Sequence, residues 1–138
     1  EGCIILGSPE FNLANRSPMM PLSRERCEAC RRDSPQVTDA EQATLHPMVA
    51  EWDLTKRDGI NCLNRTFEVN DFFQAMAFAF KIGKEAENEG HHPQITFEWG
   101  RVHVAWWTHK IKGLHRNDFI MAAKTDEIFT NLQQSNFL

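Results

Sequence analysis

No apolar run in this chain approaches the roughly 20 residues that a membrane-spanning helix needs, so a transmembrane reading has no segment to rest on. Excess positive charge is missing as well: 15 Lys and Arg stand against 19 Asp and Glu, a net charge of −4 with histidine neutral. A dedicated nucleic-acid binder usually shows a basic patch, so that class is disfavoured. There is no phosphate loop and no dinucleotide fingerprint, and no serine, histidine and aspartate assemble into a visible nucleophile motif. Cysteine is scarce. Cys3, Cys27, Cys30 and Cys62 are irregularly spaced and do not read as a disulfide framework, which favours a reduced, cytoplasmic setting.

What is present fits one globular domain. At 138 residues the chain is long enough to bury a real core. Residues 1–20 stand apart: the stretch has no helical or strand period, and Gly7-Ser8-Pro9-Glu10-Phe11 looks like a cloning-site remnant, so it is set aside as such or as a disordered arm. The domain is expected over residues 21–138.

Along that domain the pattern predicts elements in a clear order. Thr38 stands three residues before Glu41, the spacing of a capping box, and opens a short helix from about Asp39 to Val49, interrupted near His46-Pro47. Trp52 to Leu54 reads as a short strand and Arg57-Asp58-Gly59 as a turn. The apolar residues between Ile60 and Val69 change phase, which suggests a strand with a bulge. Asn70 is a candidate N-cap for a long helix on which Phe72, Phe73, Met76, Ala77, Phe80 and Gly83 recur at three- and four-residue steps, with Phe78 and Ile82 widening the arc. Gly90 suits the left-handed residue that ends it. Gln94 to Trp99 alternates, Gly100-Arg101 fits a two-residue turn, and Val102, Val104, Trp106 and Thr108 share one face of the next strand. A last helix is expected from about Arg116 to Leu132, with Asp118 in its first turn, where negative charge suits the helix dipole. The order α-β-β-α-β-β-α implies an α+β domain: an antiparallel sheet with helices packed on one face.

The chemistry concentrates in three histidines. His91 and His92 precede Pro93, which fixes the backbone beside both rings, and His109 lies beyond the hairpin. Imidazoles exchange protons near neutral pH, so a cluster of them suits acid–base catalysis. Trp106 and Trp107 just before His109 add aromatic surface, and together they suggest a flat, polar heterocycle as substrate. Glu87 is four residues before His91 and could face it, though alone it also reads as a solvated charge. Trp52 and Trp107 could each stack a ligand or fill an interface; His103 reads as surface. The histidine spacing matches no familiar zinc motif. Cys27-x-x-Cys30 is half of a four-ligand set and reads first as a tight turn, with a structural metal or redox role as the minority reading. Cys62 reads as a small core residue.

Taken together, Glu87-x3-His91-His92-Pro93-x5-Trp99-x9-His109-x8-Asp118 resembles the signature of the pterin-4a-carbinolamine dehydratases. Trp52, Arg57-Asp58-Gly59, the Phe-rich helix and the run from His109 to Phe119 resemble bacterial members, as does Cys27-Glu28-Ala29-Cys30; the likeness spans about Cys27 to Phe129. It implies a four-stranded antiparallel sheet backed by three helices, assembled as a homodimer or homotetramer. It implies a hydro-lyase that dehydrates 4a-hydroxytetrahydrobiopterin to quinonoid dihydropterin, recycling the cofactor of aromatic amino acid hydroxylases, with no metal and no cofactor beyond the pterin substrate. His91 and His109 then correspond to acid–base histidines and His92 to a substrate-binding histidine. Glu87 and Trp52 would contact substrate or wall the site. Asp118 would stand beside them, more as a cap for the last helix than in direct chemistry. The family also implies an alternative role as a protein-binding cofactor, with the helix from Asn70 to Glu89 as contact surface.

Overall fold

The computed structural model describes residues 20–135; the expected remnant at 1–20 lies, but for Met20, outside them. The elements are α1 (Asp39–Leu45), β1 (Asp53–Arg57), β2 (Ile60–Glu68), α2 (Phe72–Glu89), β3 (Gln94–Glu98), β4 (Arg101–Trp106) and α3 (Arg116–Ser135). The strands form one antiparallel sheet in the order β1-β2-β4-β3. The helices cover one face of it, as the α+β reading expects.

Local chemistry explains most of the boundaries. The capping box at α1 is complete: Glu41 N–H donates to Thr38 Oγ1 at 3.1 Å and Thr38 N–H to Glu41 Oε1 at 2.8 Å. The helix passes into a 3-10 turn at His46–Val49, where Pro47 ends α-helical geometry. Asp58 and Gly59 both adopt positive φ, 53° and 79°, the Asp-Gly solution for a two-residue hairpin.

Three expectations are corrected. The N-cap of α2 is Asp71, whose carboxylate accepts from Gln74 N–H at 2.8 Å, while Asn70 precedes it. The second hairpin turns on Trp99-Gly100, with glycine second at φ +82°, because Glu98 pairs with Arg101. Strand β2 carries no bulge: its register runs unbroken against both neighbours. Its apolar residues change phase because the sheet has two kinds of buried position. Leu63 and Phe67 face the helices, and Cys62 is buried on the other side, where Thr55 Oγ1 lies 3.5 Å from its sulfur. Helix α2 buries Ala75, Phe78, Ala79, Ile82 and Ala86 and leaves Phe72, Phe73, Met76 and Phe80 exposed, so both sides of its apolar arc are accounted for. With apolar residues on both sides, the face rich in alanine is the one that allows close approach to the sheet.

The core centres on Phe67. Its ring meets Trp52 edge-on at 5.8 Å, Phe78 at 4.9 Å and Phe129 at 4.9 Å, and the Arg65 guanidinium lies 4.3 Å above it. Trp52 is fully buried within this cluster and donates its indole N–H to Asp126 Oδ1 at 2.8 Å. Arg65 donates to the same oxygen at 2.7 Å. Burial pushes the Asp126 carboxyl up, and the Trp52 and Arg65 contacts oppose that rise. Because one ring joins strands to both long helices, Phe67→Ala should cost about 3–5 kcal/mol in urea-monitored unfolding. A loss under about 1 kcal/mol would show that this cluster is not the centre of the core.

Candidate active site

Two chain reversals build the site. At the end of α2, Gly90 adopts φ +66° and the chain turns back, with His91 N–H donating to Ala86 O at 3.1 Å. That turn carries the His91 ring inward, where it is almost wholly buried and stacks on Trp106, centroids 5.7 Å apart and planes within 9°. The second reversal follows β4. Thr108 and Gly113 pair as an isolated bridge, and the 3-10 turn His109–Ile111 protrudes between them. His109 rides on this turn, exposed, with its ring stacked on Trp107 at 4.7 Å.

Asp118 joins the two. Its carboxylate has no exposure to solvent. Oδ1 lies 2.6 Å from His91 Nε2, and Oδ2 accepts from Thr108 Oγ1 at 2.7 Å and from His115 N–H at 2.9 Å. Asp118 is the third residue of α3, so its bond to His115 N–H is also the backward half of a capping box. A carboxylate is acceptor-only, so in the neutral His91 ring the proton sits on Nε2 and the lone pair on Nδ1.

The three imidazoles predicted from the sequence line one cavity of about 560 Å³, together with Cys27, Glu28, Ala29, Cys30, Glu89, Gly90, Thr108, Lys110 and Asn117. That volume falls in the range of small-molecule sites. Two other clefts are as large, about 610 and 700 Å³, but one gathers a single imidazole, His115, and the other none.

Three assignments change. Glu87 pairs with His92, Nε2 to Oε1 at 2.8 Å, and not with His91. The four-residue spacing holds only inside a helix, and His91 lies past the left-handed Gly90. The pair is open to solvent on both sides, 61% and 81% exposed, so it contributes little to stability. Trp52 is fully buried and does not line the histidine cavity; it belongs to the core around Phe67. Asp118, with no exposed surface, is shielded from direct contact with a substrate and instead holds His91 and caps α3. His103 is half-buried on the helix-free face of the sheet, 3.4 Å from Asn64 Oδ1; burial, and then the Arg57 charge, lower its pKa.

The sequence reading missed Glu89 and Asn117. Glu89 receives Arg26 Nε at 2.9 Å and Cys27 N–H at 2.8 Å, and Asn117 brackets the backbone of Glu28, accepting its N–H at 3.1 Å and donating to its C=O at 2.8 Å. Together they tie the segment ahead of α1 across the cavity. The available signal was the place of Asn117 beside Asp118 in one helical turn.

Both thiols of that segment are held toward their protonated form. Burial, and then the charges of Glu89 and Asp118, push the Cys27 thiol up to about 12; burial raises Cys30 too. Among the described residues, no group of three His, Cys, Asp or Glu side chains is placed to hold a metal ion. Cys27 should therefore react with iodoacetamide at pH 8 at least about a hundredfold more slowly in the folded protein than in urea, as read by peptide mass spectrometry. Equal rates would contradict the half-buried, protonated thiol.

Comparison with known proteins converges on one family. The family model described as pterin 4 alpha carbinolamine dehydratase matches residues 35–128. A Gloeobacter violaceus protein provisionally named pterin-4-alpha-carbinolamine dehydratase 1 is 54% identical over 109 residues, 79% of this chain and 94% of its own. A Marinobacter nauticus protein with the same provisional name is 55% identical over 111 residues, 80% of this chain and 100% of its own. Among solved structures, a transcriptional coactivator/pterin dehydratase from Brucella melitensis is similar at a TM-score of 0.61 and 30% identity, over 68% of this chain and 98% of that one.

Proposed function

Since this chain belongs to the pterin 4 alpha carbinolamine dehydratase family, we propose that it dehydrates a 4a-hydroxytetrahydropterin to the quinonoid dihydropterin. The observation that carries this reading is the gathering of His91, His92 and His109 around one cavity, with His91 fixed by a buried carboxylate.

The reaction breaks the C4a–OH bond and removes the proton from N5, forming the C4a=N5 double bond and releasing water. No electron carrier is involved, and the pterin is substrate, with no resident cofactor in this reading. Two proton transfers are needed, one to the departing hydroxyl and one from N5, and imidazoles suit both near neutral pH. In this reading His91 and His109 exchange the two protons and His92 binds the substrate. His91 is held by Asp118 at Nε2, so Nδ1 is the atom left for substrate. His109 is held by its stack on Trp107 and stands at the solvent side, where water can leave. Glu87 steadies His92.

The product's chemistry sets the setting: an oxidised pterin must be reduced again, so the enzyme would serve aromatic amino acid hydroxylases that consume tetrahydropterin. A cytoplasmic homodimer or homotetramer fits this reading, with the exposed row Phe72, Phe73, Met76 and Phe80 on α2 as the contact between copies. The same row would serve the second reading, a protein-binding cofactor. The intact histidine set favours the enzyme.

A stopped-flow assay with enzymatically generated 4a-hydroxytetrahydropterin tests the proposal. The wild type should accelerate dehydration well above the spontaneous rate, with a bell-shaped pH profile because one imidazole must be charged and another neutral. His91→Ala and His109→Ala should each lower kcat by about 10²–10⁴-fold. No acceleration by the wild type, or an undiminished rate in the double variant, would refute it.

A further inference from the structure

The two imidazoles given to proton transfer sit on separate reversals of the chain, yet one residue touches the supports of both. Thr108 lines the histidine cavity and is buried. Its backbone frames the turn that carries His109: Thr108 N–H donates to Gly113 O at 2.8 Å, and Gly113 N–H returns to Thr108 O at 3.4 Å. Its hydroxyl donates to Asp118 Oδ2 at 2.7 Å, and the other oxygen of that carboxylate lies 2.6 Å from His91 Nε2. Two hydrogen bonds through one carboxylate therefore link the residue next to His109 with the His91 ring.

The two jobs of Thr108 are chemically separable. The turn is tied down by bonds that do not involve the hydroxyl. Lys112 N–H donates to His109 O at 3.3 Å, Gln36 Nε2 to Ile111 O at 3.1 Å, Val37 N–H to Leu114 O at 2.9 Å and Lys110 Nζ to Cys30 O at 3.1 Å. The carboxylate is placed differently. The His115 amide, 2.9 Å from Oδ2, fixes Asp118 within the first turn of α3, and the Thr108 hydroxyl ties it to the end of β4. A carboxylate only accepts, so the Thr108 proton is committed to Oδ2 and the hydroxyl is not free to donate to a ligand.

Resting on the pterin reading above, we infer that Thr108 is a positioning residue: its hydroxyl sets the Asp118 carboxylate, and through it the His91 ring, in register with the turn that presents His109. Two proton transfers on one small molecule require the two imidazoles to keep a fixed separation, and a displacement of about 1 Å can cost about a hundredfold in rate. A buried hydroxyl shared between a strand end and a helix start supplies that constraint without touching the substrate.

Stopped-flow dehydration kinetics of Thr108→Val and Thr108→Ser, with histidine-ring NMR of the free proteins, test this. Valine keeps the branched shape and every backbone bond and removes the hydroxyl. It should lower kcat about tenfold to a hundredfold while KM changes less than about threefold, and the His91 Nε2–H resonance should be displaced or lost. Serine should restore both. A raised KM at native kcat would overturn the positioning role in favour of direct substrate contact. Native kcat with an unmoved His91 resonance in the valine variant would overturn it outright. If valine prevents folding, Thr108→Cys, whose thiol is a weak donor, supplies the same comparison. The ring NMR needs no substrate, so a wild type without dehydratase activity would refute the pterin reading while the His91 resonance still decides the role of Thr108.

Discussion

A single carboxylate, that of Asp118, holds this site together. It is sealed from water, and every acceptor position it uses meets a donor from a different part of the chain: the His91 ring after α2, the Thr108 hydroxyl after β4, and the His115 amide that opens α3. A buried charge is tolerated only when it is so partnered. The cost of burial thus enforces the meeting of the turn after α2 with the stretch from Thr108 to Asp118. Removing any one donor leaves a desolvated oxygen short of a partner, so geometry at the site and stability of the fold are coupled through one residue.

The fold places chemistry at the ends of elements rather than on their faces. The sheet and the α2 and α3 helices form a closed apolar layer around Phe67 and Trp106. His91 escapes that layer only because Gly90 reverses the chain, and His109 because the Thr108–Gly113 bridge leaves a short turn free to protrude. Trp106 and Trp107 divide the labour by strand alternation. One indole faces the core and supports His91; the other, on the opposite face, supports His109. Adjacent residues, the last of β4 and the one after it, thereby steady two imidazoles that approach the cavity from different elements.

Much of this was legible in the sequence wherever the cause is local. The Thr38–Glu41 box, the Asp58-Gly59 turn, the left-handed Gly90 and the alternation of Val102, Val104 and Trp106 each act within a few residues, and the expected α+β architecture follows from their order. The family signature further brought the three histidines together before any geometry was known. What escaped depends on distant partners. The resemblance implied Trp52 as a site wall, and a lone tryptophan does not reveal the Asp126 carboxylate that satisfies its indole across 74 positions of chain. Glu87 read as the partner of His91 because helical spacing was carried past the residue that ends the helix. The apolar arc of α2 was legible, but which side meets the sheet was not, because phenylalanines outweigh alanines in any count of apolar character, although small residues are what allow a helix to lie close on a sheet.

His91 lines a cavity shared with His92 and His109, with its Nε2 held by Asp118 and its Nδ1 free of that bond. Long-range proton–nitrogen NMR of the histidine rings, recorded with and without 7,8-dihydrobiopterin, examines it most directly. The account predicts an Nε2–H tautomer for His91 in the free protein and ligand-induced shifts at the Nδ1 of His91 and at the rings of His92 and His109. An Nδ1–H tautomer at His91, or a bound pterin that leaves all three rings unshifted, would contradict it.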